Sequence, residues 1–358
     1  MKKVKVAIVG LGSVAQIIHL PILESLSDRY EIVSVCDVSR KLLQAIGDRY
    51  RISERYTDVA EMMRSTDAEA VFVLNSDEYH AECAILALRH GKHVLIEKPV
   101  CLCPEDAEAI IRARDEAGKQ VMVGYMRRFA PAYTEAVEEV RALDKINYAR
   151  VRAIIGPNRF FIDETSNVLL PDDIPEAFTQ DRVRRGRRMT ELALGELAAQ
   201  YGSVYRHMCG LNSHDLSAMR ELIGFPRRVG AASSWKGGHY ITALFEFDGY
   251  WATFETGVDL NRRFDAHLQV YGDTKAITVQ YDTPYIRHLP TTKIVEETVG
   301  TSFTRTVVSP TFKDPYTVEL EYFHQVLTEG MQPKTTVEDS LDDLRLFRMI
   351  VDALVAGR

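Results

Sequence analysis

Short apolar runs alternate with helix-like stretches through the first third of the chain. Val4–Val9 is an apolar run broken only by Lys5 and stops at Gly10-Leu11-Gly12, after which residues 13 to about 26 keep helical spacing. Residues 31–37 form a second buried-strand pattern. Residues 41–50 read as a helix, and Tyr56, Val59, Met62 and Met63 prolong the helical spacing. Further apolar runs lie at 70–74, 93–96 and 120–124, separated by helical stretches at 80–90 and 105–117. Apolar strands alternating with helices of this length predict βαβ units and a parallel sheet buried on both faces.

The pattern changes near residue 125. Residues 147–155, 229–234, 239–247, 250–257, 264–271 and 276–281 have strand composition. Asp248-Gly249 joins two of these runs as a hairpin turn, and Gly272-Asp273-Thr274-Lys275 joins two more. Consecutive hairpins predict an antiparallel sheet, interrupted by helices at about 131–142, 190–200, 213–222, 316–329 and 338–355. The chain is therefore expected to be α/β, with a doubly wound parallel sheet in a first domain, 1–125. A second α+β domain, 126–358, carries a large, mainly antiparallel sheet.

Composition narrows the class. At 358 residues, 46% hydrophobic and 27% charged, the chain can build sizeable cores, and its length suggests two domains. A net charge of −7 disfavours general nucleic-acid binding, and no apolar run approaches the roughly 18 residues of a membrane span. Met1-Lys2-Lys3-Val4-Lys5 leads into a strand ending in glycine, not into the apolar core of a signal peptide. Five scattered cysteines, Cys36, Cys83, Cys101, Cys103 and Cys209, suggest reduced thiols and a cytoplasmic location. Cys101-x-Cys103 lacks a second ligand pair at zinc spacing and is read as structural, so no metal is expected.

Val9-Gly10-Leu11-Gly12-Ser13-Val14-Ala15 is a G-x-G-x-x-A fingerprint that ends a strand and opens a helix. Gly10 permits the tight turn, Gly12 the approach of a pyrophosphate, and Ala15 close helix–sheet packing, while the helix N-terminus meets negative charge. Asp37 ends the second strand, where a carboxylate accepts hydrogen bonds from ribose hydroxyls and repels a 2′-phosphate. NAD is therefore the expected cofactor. Arg40 and Lys41 lie near enough to leave NADP open.

The opening through His19-Leu20-Pro21 resembles that of the Gfo/Idh/MocA oxidoreductases, and Glu97-Lys98-Pro99 after the fifth strand looks like their E-K-P signature. Gly124-Tyr125-Met126-Arg127-Arg128-Phe129 is similar to their lead into the second domain, and Tyr79-His80 fits the fourth-strand loop, with Asn75-Ser76 where T-P is usual. The likeness extends to Ser213-His214-Asp215-Leu216 and covers nearly the whole chain outside about 157–205. It implies a homodimeric or homotetrameric NAD(P)-dependent oxidoreductase acting on a secondary hydroxyl of a cyclic polyol, sugar or sugar derivative. Further expected cofactor contacts are Ser13, Val14, Asn75, His80, Glu97 and Lys98.

Removing hydride from an alcohol requires loss of the hydroxyl proton and a nearby cation to stabilise the developing charge. Lys98 on the sheet's C-terminal edge suits the second task, its pKa lowered by desolvation and by a positively charged nicotinamide. His214 suits the first. The resemblance implies the same pair, while Tyr125, Arg127 and His80 are candidates for polar contacts around the substrate or for structural roles. The bland readings are a Lys98–Glu97 salt bridge and a His214 that caps a helix starting at Asn212-Ser213.

Two departures stand out. Four residues before His214, where many members carry an aspartate, this chain has Gly210, with Glu191 and Glu196 as candidate substitutes. The stretch from Gly156 to Gln200 is long and contains the basic run 182–188, read as a solvated loop or, more sharply, as a lid or subunit arm. Trp235 and Trp251 are expected to pack in the sheet or at a dimer face. Two other functions stay open: a redox-neutral NAD-dependent glycoside hydrolase and a non-catalytic nucleotide-responsive regulator.

Overall fold

The structure is a computed structural model that describes residues 2–357. Its first six strands are β1 (Val4–Val9), β2 (Tyr30–Cys36), β3 (Glu54–Tyr56), β4 (Ala70–Val73), β5 (His93–Glu97) and β6 (Val121–Gly124). They form one parallel sheet in the order β3-β2-β1-β4-β5-β6, which is the doubly wound dinucleotide-binding arrangement. The continuous apolar runs are strands because both sheet faces are covered: Val6, Ala7, Ile8 and all of β4 are fully buried.

The connecting helices are α1 (Leu20–Ser25), α2 (Arg40–Arg49), α3 (Val59–Ser65), α4 (His80–Arg89) and α5 (Pro104–Ala117). One expectation fails here. Tyr56 belongs to β3, a three-residue edge strand, and the helix begins only after Asp58 caps it by accepting from Glu61 N–H. A charged edge strand this short carries no apolar run and so has no sequence signature.

Beyond β6 the chain forms α6 (Pro131–Arg141), β7 (Tyr148–Ile155), α7 (Arg159–Thr165), α8 (Glu176–Leu194), α9 (Ala198–His207) and α10 (Ser213–Ile223). Then follow β8 (Arg228–Trp235), β9 (Tyr240–Glu246), β10 (Trp251–Val258), β11 (Phe264–Tyr271), β12 (Lys275–Tyr281), β13 (Thr292–Val299) and β14 (Ser302–Val308), with α11 (Pro315–Glu329) and α12 (Val337–Ala356) last. Strands β7 to β14 make an eight-stranded sheet ordered β14-β13-β12-β11-β7-β10-β9-β8. It is antiparallel except for the parallel β7–β10 pair. The β13–β14 hairpin carries no clear signature: β14 is an exposed edge strand, and β13 has only Ile294, Val295 and Val299 as apolar residues. The helix expected at 190–200 is instead the end of α8 followed, after a short 3₁₀ turn, by α9.

The chain divides into two compact units. The first comprises Met1–Gly124, Ser166–Gly195 and Glu319–Asp342; the second comprises Tyr125–Thr165, Glu196–Val318 and Asp343–Arg358. In the first unit Phe72 of β4 meets Tyr30 and Phe323 edge-on at 6.1 and 5.8 Å, and Tyr30 Oη donates to the Leu320 carbonyl at 2.7 Å. Thr335 pairs with Val123 through main chain and hydroxyl, so β6 is not left as a bare edge.

The second unit contains a buried ion pair, Arg220 Nη2 to Asp343 Oδ1 at 2.8 Å, and Asp343 also accepts from Tyr125 Oη at 2.6 Å. Removing one partner of such a pair leaves a charge buried without compensation. Asp343→Ala is expected to destabilise the protein by about 3–5 kcal/mol, read as a lowered urea midpoint. A loss under about 1 kcal/mol would show that water or a rearranged side chain replaces the carboxylate.

Candidate active site

The first loop of the parallel sheet is built around glycine. Gly10 has φ +93°, and a Cβ there would lie 2.5 Å from the Asn75 backbone, so both the conformation and the close approach exclude a side chain. A Cβ on Gly12 would meet no protein atom within 4 Å. The helical turn opens with Ser13 and Val14, Gln16 N–H bonds the Gly12 carbonyl at 3.0 Å, and Ala15 is fully buried. Residues Ala15–His19 form a π-helical turn before α1.

Asp37 ties this loop to α2. Its carboxylate accepts from Leu11 N–H and Ser39 N–H, both at 2.8 Å, and Ser39 Oγ in turn caps α2 by accepting from Leu42 N–H. Burial pushes the Asp37 pKa up; the two N–H donors oppose this, and the charge of Asp173 adds to it. Arg40 is the exposed first residue of α2.

A second cluster sits at the C-terminal ends of β4 and β5, the edge where doubly wound sheets place ligands. Glu97 Oε1 lies 2.8 Å from His19 Nε2, and Glu97 Oε2 accepts from Lys98 N–H at 3.2 Å. A Cβ on Gly124 would come within 3.2 Å of the Glu97 carboxyl group, so β6 leaves room for it. The Lys98–Pro99 peptide is cis. The buried His80 has Nδ1 2.8 Å from the Pro99 carbonyl and Nε2 2.9 Å from the Asn75 carbonyl. Asn75, His80, Glu97 and Lys98 are thus brought together, with His80 stapling two loops through main-chain carbonyls. The role of His19 was missed. The H-x-P pattern marked its position, but not that it orients the Glu97 carboxylate.

In the second unit, Arg127 and Asp215 form a buried ion pair, and the guanidinium lies 4.8 Å from the Tyr281 ring centre. Tyr125 is buried with its hydroxyl on Asp343. His214 is the second residue of α10 and 9% exposed. α10 has no free N-terminus to cap: α9 runs through a π-helical turn, Met208–Asn212, directly into it, and Asn212 keeps helical backbone angles with no side-chain capping bond. Asn212 Nδ2 instead donates to Thr256 Oγ1 on β10 at 2.8 Å. Counting back four residues from His214 assumes α-helical bonding. The π turn Met208–Asn212, where Ser213 N–H reaches the Met208 carbonyl, interrupts that bonding just before His214. Neither Cys209 nor Gly210 supplies the expected acid, and Glu191 is held by Arg187 at 2.8 Å on the exposed side of α8.

The basic run is not a solvated loop. It lies within α8, where Asp181 pairs with Arg184 and Arg185 and Glu191 with Arg187, all at helical i,i+3 or i,i+4 spacing. The helix packs on the first unit: Phe178 stacks on Tyr79 at 4.8 Å, Tyr79 Oη donates to Asp181, and Arg185 reaches Glu82.

Residues 4–125 match the Gfo/Idh/MocA family, oxidoreductases with an NAD-binding Rossmann fold. Among the similar proteins, inositol 2-dehydrogenase of Salmonella typhimurium is 35% identical over 133 residues, 37% of this chain. That match spans 39% of the relative's length. D-glucoside 3-dehydrogenase of Escherichia coli is 25% identical over 275 residues, 74% of this chain and 73% of the relative. Both units have a counterpart in the crystal structure of aldose-aldose oxidoreductase from Caulobacter crescentus, with TM-score 0.74, 21% identity, and coverage of 100% of this chain and 99% of that one.

Proposed function

We propose that the protein is an NAD-dependent dehydrogenase or reductase acting on a secondary hydroxyl or ketone of a cyclic polyol, sugar or sugar derivative. In this reading residues 1–125 bind the nucleotide and 126–358 bind substrate and assemble copies. The observation that carries it is the pairing of a glycine-shaped nucleotide loop with an ordered Glu97-Lys98-Pro99 turn on the same sheet edge. The donor set fits a dinucleotide: Gly12 leaves the helix N-terminus open to a pyrophosphate, with Ser13 and Val14 beside it, and Asp37 is held by two N–H groups where ribose hydroxyls are bound in this fold. Bound NAD supplies the hydride acceptor. Asn75, His80 and Arg40 complete the surroundings of that half of the site.

The chain's own groups supply the proton chemistry. Lys98 places a cation at the reacting hydroxyl, stabilising the alkoxide-like charge that develops as the proton leaves. Glu97, fixed by His19, orients the main chain of the turn from which Lys98 projects. His214 exchanges the hydroxyl proton with solvent. Arg127 and Tyr125 are spent on Asp215 and Asp343, and their part is to shape the substrate's surroundings.

Homo-oligomerisation through the large sheet is supported by its exposed aromatic residues. Trp235 is 45% and Phe303 70% exposed, and Trp235 stacks on Tyr240 at 5.4 Å. Among the described residues no helix is long and apolar enough to cross a membrane. A cytoplasmic location is part of the same reading.

The test is turnover of a panel of inositols, aldoses and sugar acids with NAD⁺. NADH formation with at least one secondary alcohol is expected, and none with any alcohol would contradict the reading. Asp37→Ala should weaken NAD⁺ binding about 10- to 100-fold, the worth of a charge-assisted hydrogen bond, measured by fluorescence titration. Unchanged affinity would remove Asp37 from the nucleotide site.

A further inference from the structure

The segment leading into α8 crosses the nucleotide half of the first unit. At one end it is held by Gln16, whose Nε2 donates to the Leu169 carbonyl at 3.0 Å while its Oε1 accepts from Leu169 N–H at 2.9 Å. Gln16 sits on the turn that follows the glycine loop, and its Nε2 also reaches the Leu11 carbonyl at 2.8 Å. At the other end Asp173 lies on the N-terminus of α2. It accepts from Ser39 Oγ and, at 3.0 Å, from Lys41 N–H. The neighbouring Asp172 takes Lys41 Nζ at 2.6 Å.

These are the groups a 2′-phosphate would need. In a dinucleotide fold the residues just after the second strand face the adenosine ribose, and a phosphate there is bound by hydroxyl, N–H and cationic groups. Here the hydroxyl of Ser39, the N–H of Lys41 and the ammonium of Lys41 already have carboxylate partners from this chain. An anion does sit at this helix N-terminus, and it belongs to the protein.

We propose that Asp173 is a specificity-determining residue that rejects NADP: together with Asp37 it fills and charges the 2′-phosphate position, so that the protein selects NAD. This rests on the dinucleotide-dependent reading above. It also assigns a task to the long segment after β7, namely to carry a second carboxylate to a site whose first, Asp37, is fixed at the end of β2. The electrostatics agree with the geometry. The charge of Asp173 is felt at Asp37, raising its pKa, while the Ser39 hydroxyl and Lys41 N–H hold Asp173 below the usual carboxylate range. Two neighbouring carboxylates leave an added phosphate dianion facing like charges, which costs far more for NADP than for NAD.

The test compares NAD⁺ and NADP⁺ affinities of the intact protein by quenching of its own fluorescence, without turnover. Asp173→Asn keeps an acceptor for Ser39 and Lys41 but removes the charge; Asp173→Ala frees both donors. Both variants should bind NADP⁺ about tenfold or more tightly relative to NAD⁺ than the wild type does, with Asp173→Ala showing the larger shift. An unchanged ratio in both variants overturns the proposal, as does a wild type that prefers NADP⁺. In either case the dinucleotide reading stands. A wild type that binds neither nucleotide overturns that reading, and this proposal with it.

Discussion

Alanine in place of Lys98 is expected to lower kcat for alcohol oxidation by about 10³-fold while changing NAD⁺ affinity by no more than about threefold. The turn that carries Lys98 has its own supports: Glu97 is bound to His19, and the Pro99 carbonyl faces His80. Truncating the lysine side chain leaves both in place, so the loss is chemical. A cation beside the reacting oxygen acts mainly as charge develops, which places its effect in kcat more than in KM. Lys98→Met, which keeps the length and removes the charge, should resemble alanine. Single-turnover rates with nucleotide titrations check the split, and a loss under about tenfold in both variants would remove Lys98 from the chemistry.

His214→Gln carries the second large effect, a fall in kcat of about 10²- to 10⁴-fold. The structural alternative is that His214 merely packs near the start of α10. That role would be read as lost stability, yet the segment is anchored independently by Asn212 on Thr256 and by the Arg127–Asp215 pair. The expected result is therefore a variant with near wild-type thermal unfolding whose pH–rate profile has lost a limb present in the wild type. A lowered unfolding midpoint with an unaltered pH profile would contradict the assignment.

Much of the first sheet could be read from the chain because parallel strands buried on both faces must be continuously apolar; 6–9 and 70–73 show this plainly. Gly10 was legible for the same reason, since strand, glycine and helix occur in sequence. What escaped was either polar and at an edge or distant in sequence. β3 and β14 show the first case. The His19–Glu97 contact spans 78 positions and the Ser39–Asp173 contact 134, and no local pattern records which remote carboxylate a side chain meets. The basic run misled because its charges are paired along a helix with Asp181 and Glu191, whereas a glance at composition sees only the arginines. The π turn before His214 likewise leaves no mark, and counting in steps of four assumes an α-helix that it interrupts.

The proposed function rests on hydride transfer from a carbinol carbon to the nicotinamide in a reaction dependent on Lys98. The most direct measurement supplies an alcohol from the turnover panel with deuterium on the reacting carbon, then analyses the nucleotide by mass spectrometry. Deuterated NADH should accumulate with the wild type and none should form with Lys98→Ala. Deuterium that stays in the sugar or escapes to water, with no reduced nucleotide formed, would contradict it.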